Sequence, residues 1–234
     1  MMSPATMFLA AAAAHARPHL LMPGVHVARD LDSVTEVLDT HGWLALTDDG
    51  SGFQLTETRL QVRSLPHPLN DTPALSVDAD APGEVRVLFH GVPKAQEGPV
   101  PTTYAGSRTL VPGTWQAVGA SHGGTLILVA SDDDGQTDPE LLDPHGPAHL
   151  LVQRLPLAPA PGHATVPTAV QDLGPVDGTA RLLWAGDLDG DGVTDLLLDE
   201  TTRDGLTRAR LWLSSDASTG EIVVEAAVFE ATGC

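Results

Sequence analysis

Apolar and polar positions along this chain recur with a period of two in more places than with a period near three and a half. Alternation of that kind belongs to strands, whose successive side chains point to opposite faces. Trp43–Leu46, a turn at 48–52, and Phe53–Val62, in which Leu60 and Val62 alternate with Gln61 and Arg63, predict a hairpin. Glu84–His90 predicts another strand after a Pro-rich connector at 65–73, whereas Gly91–Pro112, with several prolines and no period, predicts a long loop. A second hairpin is expected from Thr114–Val118 and Thr125–Ala130, and a further strand from Ala148–Arg154. The segment 156–180 is rich in Ala, Pro and Gly and reads as a linker. At 31–41 the spacing turns helical: Leu31, Val34, Val37 and Leu38 share a face, Asp32 or Ser33 can cap the start and Gly42 can end it, which predicts one short helix.

Past residue 180 the alternation is clearest. The runs 181–185 and 196–198 are too short for helices and predict buried strands. Leu206–Leu213 sets Ala209, Leu211 and Leu213 against Arg208, Arg210 and Trp212. After a turn at 216–220, Ile222, Val224, Ala226 and Val228 are expected on one face, with Glu225 and Phe229 opposite. Residues 181–230 therefore predict a four-stranded antiparallel meander, the size of one propeller blade. A propeller needs about four blades and the pattern occurs once. The expected fold is thus mainly β: an antiparallel sandwich or barrel-like region over 17–155, then a single blade-like meander over 181–234.

The candidate chemistry lies between the first two strands of that meander. Asp187-Leu-Asp-Gly-Asp-Gly-Val-Thr-Asp195 places carboxylates at relative positions 1, 3, 5 and 9 and a glycine at position 6. A calcium ion takes roughly six to eight oxygen ligands, so a short loop must offer an oxygen at alternate residues and bend sharply in the middle. An EF-hand would add a bidentate Glu at position 12 and flanking helices, but that position is Leu198 and the flanks predict strands. The stretch Trp184–Leu198 resembles the calcium-loop half of an FG-GAP (VCBS-like) repeat, the unit of integrin-type β-propellers. That resemblance implies a calcium ion (Ca2+) between the first two strands of a blade, held by the side chains of Asp187, Asp189, Asp191 and Asp195 and by the Val193 carbonyl. It covers only 181–234, and the Phe-Gly and Gly-Ala-Pro parts of the repeat have no counterpart upstream. The ending Phe229–Cys234 and Leu211-Trp-Leu-Ser-Ser215 are similar to bacterial proteins with one terminal repeat of this kind, which implies no activity.

Composition narrows the partners. With 234 residues and 42% apolar content the chain can bury a substantial core. Its 31 acidic against 12 basic residues, a formal charge of -19, argue against nucleic acid and favour cations. A single cysteine, Cys234, excludes an intramolecular disulfide and a zinc–thiolate site, and the ten histidines lie scattered among Pro and Gly. Residues 7–14 form an apolar run before Ala14-His-Ala16, which fits a signal peptide cleaved before Arg17, although no Lys or Arg precedes the run. Cleavage would place the protein in the periplasm or outside the cell, and retention of 1–16 in the cytoplasm. No run reaches the roughly 18 apolar residues of a membrane span.

Two motifs are set aside. Gly119-Ala-Ser-His-Gly123 matches the nucleophile elbow of α/β-hydrolases, but the apolar, β-branched run after it predicts a hairpin rather than the required helix. Asp132, Asp134, Gln136 and Asp138 alternate without a glycine at position 6 and read as a solvated turn. The leading expectation is a non-catalytic, exported, calcium-binding domain with a structural ion, used in adhesion or envelope interaction. The alternative is a hydrolase-type enzyme whose catalytic site lies outside the loop. A third reading, a cytosolic partner-binding module, differs in ion affinity: cytosolic sensors work at about 10⁻⁷ to 10⁻⁵ M calcium and extracellular modules at about 10⁻⁴ to 10⁻³ M.

Overall fold

The computed structural model describes residues 17–66, 74–121, 124–132, 148–157, 165–176, 178–202 and 206–232. The signal-peptide reading of 1–16, His122, and the acidic stretch beyond Asp132 lie outside them. The first strands are β1 (His19–Leu21), β2 (Gly24–Val27), β3 (Trp43–Asp48), β4 (Phe53–Thr58), β5 (Leu60–Leu65), β6 (Ala74–Ala79) and β7 (Glu84–His90). Then come β8 (Gly98–Pro99), β9 (Thr102–Leu110), β10 (Trp115–Ser121), β11 (Gly124–Ser131), β12 (Ala148–Pro156) and β13 (Ala169–Val176). The chain closes with β14 (Gly178–Gly186), β15 (Asp195–Thr202), β16 (Leu206–Leu213) and β17 (Val224–Thr232).

These strands make four antiparallel sheets, ordered β1-β7-β3-β4-β8, β2-β6-β5, β10-β11-β12-β13 and β17-β16-β15-β14-β9. The mainly β, antiparallel expectation holds, but no sheet closes into a barrel. Instead the sheet that contains β14 to β17 is a middle layer. Trp184, Leu197, Ala209, Leu211 and Phe229 join one core with Leu20, Trp43, Leu46 and Phe89 of the first sheet. Leu182, Leu196, Leu198 and Trp212 join a second core with Leu126, Leu128, Leu150 and Val152. Burial on both faces is why Leu196-Leu-Leu198 reads as a continuous apolar run rather than as an alternation.

Two irregularities set which side chain enters which core. A register shift between Leu182 and Trp184 lets these two residues, nominally on one face, serve opposite cores. Another, between Leu211 and Trp212, moves β17 by one residue. Ala227 and Phe229 are therefore buried, in place of the expected face of Val224, Ala226 and Val228, while Ile222 and Val223 enter the second core.

Three further expectations change. The helical spacing at 31–41 yields a 3₁₀ turn at Ala28–Leu31 followed by successive turns, in which the N–H groups of Val34 and Val37 donate to the carbonyls of Leu31 and Val34 at 3.0 and 2.9 Å. The Thr35 and Thr40 hydroxyls bond the Leu31 and Val37 carbonyls, and such side-chain competition with β-branched neighbours disfavours an α-helix. The expected loop 91–112 contains β9, a mostly polar and exposed strand held at the edge by its pairing with β14. The expected linker 156–180 contains β13, which pairs with β12 and buries Leu173 and Val176. Among the described residues no helix is long and apolar enough to cross a membrane.

Truncating the middle layer should be costly. Leu197→Ala should lose about 2–5 kcal/mol, while Val170→Ala, at a side chain 54% exposed, should stay within about 0.5 kcal/mol. Urea unfolding of both variants checks this, and equal losses would contradict the two-core layering.

Candidate metal centre

The loop leaves β14 at Gly186 and enters β15 at Asp195, two residues paired across the strands. Gly190 and Gly192 carry it round at φ +76° and +82°, conformations that a Cβ disfavours, and Gly192 is the position-6 glycine of the sequence motif. The carboxylates are turned inward by the loop's own amides. The N–H of Gly192 donates to Asp187 Oδ2 at 2.9 Å, that of Asp191 to Asp189 Oδ1 at 3.3 Å, and that of Val193 to Asp191 Oδ1 at 2.8 Å. Asp195 accepts from the N–H groups of Leu188 and Ser214, each at 2.8 Å, and from the Ser214 hydroxyl at 3.1 Å.

Asp187, Asp189 and Asp195 each bring a carboxylate oxygen within 4.8 Å of the others. Asp191 is not in that group. Its two oxygens accept from the Ser214 hydroxyl at 3.2 and 3.1 Å, so the structure gathers three of the four expected carboxylates and ties the fourth to the end of β16. Val193, expected to offer its carbonyl, buries its side chain in the second core.

The surroundings fix the loop from two sides. The Asp187 N–H donates to the Pro101 carbonyl at 2.8 Å, and a Cβ on Gly186 would collide with that same carbonyl and with the Trp184 ring. On the other side a Cβ on Gly119 would strike the Thr194 hydroxyl. The first glycine of the elbow-like motif is therefore accounted for by close packing of β10 on the acidic loop. Ser121 ends β10 and pairs with Gly124, the first residue of β11, so the next described element is a strand and not the helix that a nucleophile elbow requires.

Electrostatics sets this cluster apart from an ordinary acidic turn. Burial pushes the Asp195 carboxyl up to about 7, only partly offset by the donors from Ser214 and Leu188. Burial also raises Asp189, which is 6% exposed. Asp187 Oδ1 and Asp189 Oδ2 are buried with no hydrogen-bond partner. An orphaned buried carboxylate oxygen is costly, and a donor set made only of oxygens suits a hard cation. Compared with protein-family models, curated proteins and solved structures, the chain matches none. Ser214 was not a candidate from sequence, because only the β15–β16 pairing brings it beside Asp195.

The raised carboxyl has a sign that can be measured. In chelator, folded protein retains a proton on Asp195 between about pH 4 and about 7 that the unfolded chain has lost. Its contribution to stability therefore falls as pH rises through that window. Urea unfolding in chelator should show this fall in the wild type and a flatter profile in Asp195→Asn; parallel profiles would place the carboxyl in the ordinary range.

Proposed function

We propose that residues 187–195 form a calcium-binding loop whose ion is structural, in a non-catalytic exported domain that serves adhesion or envelope interaction. The observation that carries this reading is the pair of buried, unpartnered oxygens on Asp187 and Asp189, which converge with Asp195. Asp187, Asp189 and Asp195 would hold the ion, with Asp191 and the Val193 carbonyl completing the set that the FG-GAP resemblance implies. The loop joins the first two strands of a four-stranded antiparallel meander, which is the place that resemblance assigns to the ion.

A structural role follows from what the loop touches. It bonds the Pro101 carbonyl, packs Thr194 against β10 and reaches Ser214 at the end of β16, so an ion there would brace three separate parts of the fold. Charge supplies the second half of the case: a divalent cation offsets the repulsion among carboxylates that burial makes costly. The apolar run at 7–14 and the small residues at Ala14 and Ala16 support export.

Calcium at about 100 times Kd should stabilise the folded chain by about 2.7 kcal/mol, with magnesium much less effective because it demands a tighter octahedron and gives up water reluctantly. Thermal unfolding with calcium, magnesium and chelator measures this, repeated on Asp187→Ala and Asp189→Ala. A melting temperature indifferent to calcium would leave the loop an ordinary acidic turn, and an undiminished shift in both variants would put the ion elsewhere.

A further inference from the structure

Lys94 is the only lysine in the chain, which otherwise meets its 31 acidic residues with 11 arginines. It is also the only non-glycine residue at positive φ among those described, at +61°. Both peculiarities occur beside the acidic loop. Lys94 shares a cavity of about 620 Å³ with Asp187, Asp189 and Gly190. Its segment is anchored at both ends, since Val92 and Val100 are buried in the first core and the Val100 N–H donates to the Phe53 carbonyl at 2.9 Å.

Pro93 followed by a residue at positive φ is the pattern of a turn whose second central position normally takes Gly or Asn. A lysine there sacrifices backbone ease, which is accounted for if its ammonium is needed. The acidic residues that line that cavity with it are Glu97, on its own segment, and Asp187 and Asp189 of the loop. Its positive charge slightly favours the ionised form of Asp189, against the larger effect of burial.

We propose that Lys94 is a tethered counter-cation of the 187–195 loop, which balances the carboxylates when no ion is bound and repels the ion when one enters, so that it sets the loop's calcium affinity. This rests on the calcium reading for its second half only. Because Lys94 is exposed, its influence runs through solvent and is screened by salt.

The test compares Lys94→Gln with the wild type, with Lys94→Arg as the charge-preserving variant and Arg63→Gln as removal of an exposed positive charge elsewhere. Isothermal titration with calcium chloride in about 20 mM salt should give Lys94→Gln a roughly two- to tenfold tighter Kd, shrinking towards wild type in about 0.5 M salt, while Lys94→Arg and Arg63→Gln stay at the wild-type value. In chelator and low salt the effect reverses: Lys94→Gln should melt below the wild type, whereas Lys94→Arg should melt at the wild-type temperature. Unchanged calcium affinity in Lys94→Gln, or an equal gain in Arg63→Gln, overturns the proposal. If no variant binds calcium the ion reading fails by itself, and the chelator melts still decide: a Lys94→Gln that melts with the wild type overturns the counter-cation role.

Discussion

Burying both faces of the central strands β14 to β16 is the constraint on which the remaining architecture depends. A sheet covered on one side can leave polar side chains on the other in water; this one cannot. Asp199, Glu200 and Arg210 within it are accordingly paired. Arg210 donates to Glu200 at 2.8 Å and Glu225 at 2.6 Å and lies 4.6 Å from the centre of the Trp212 ring, while Arg181 is bonded to Asp199. Such pairs contribute little net stability over apolar replacements, but losing one partner leaves a buried charge alone, so they fix the alignment of β14 to β17 more than they strengthen it.

The acidic loop sits where this layer meets its neighbours. It lies at the end of β14 and β15, against Pro101 on one side and β10 on the other. Asp189 and Asp195 are buried because the strands that flank the loop are buried, and Asp195 is itself the first residue of β15. The raised carboxyl and the orphaned oxygens are thus consequences of the layering.

Much of this could be read from residue order. The meander, the hairpin β10–β11 and the glycine bend of the loop follow from local alternation and turn preference, which backbone geometry translates directly into sequence. The expected strand 53–62, by contrast, breaks into β4, which pairs with β3, and β5, which carries Leu60 and Val62 into another sheet. What escaped reading depends on partners remote in the chain. The polar run Thr102–Leu110 becomes a strand only because β14 offers it an edge, and the inward face of β17 is decided by an irregularity beside Trp212 that no period reveals. At the site, four aspartates were legible as one set, yet Ser214 draws Asp191 aside across a sheet pairing. Lys94 carried no motif at all; its rarity and its backbone angle acquire meaning only beside the loop.

The pairing of β9 with β14 also bears on where the chain can be cut. Strands β10 to β13 form an excursion between two strands that lie side by side, so the sheet that holds the acidic loop is assembled from segments on either side of another sheet. Joining β9 to β14 means closing a long loop early or waiting for the excursion to fold, a non-local step of the kind that slows β proteins. A piece beginning at β14 would keep every residue that resembles a calcium repeat and yet expose the unpaired edge of β14 together with two apolar faces, the recipe for edge-to-edge association. The repeat-like segment is therefore a motif of this fold and not a module that could be moved to another protein.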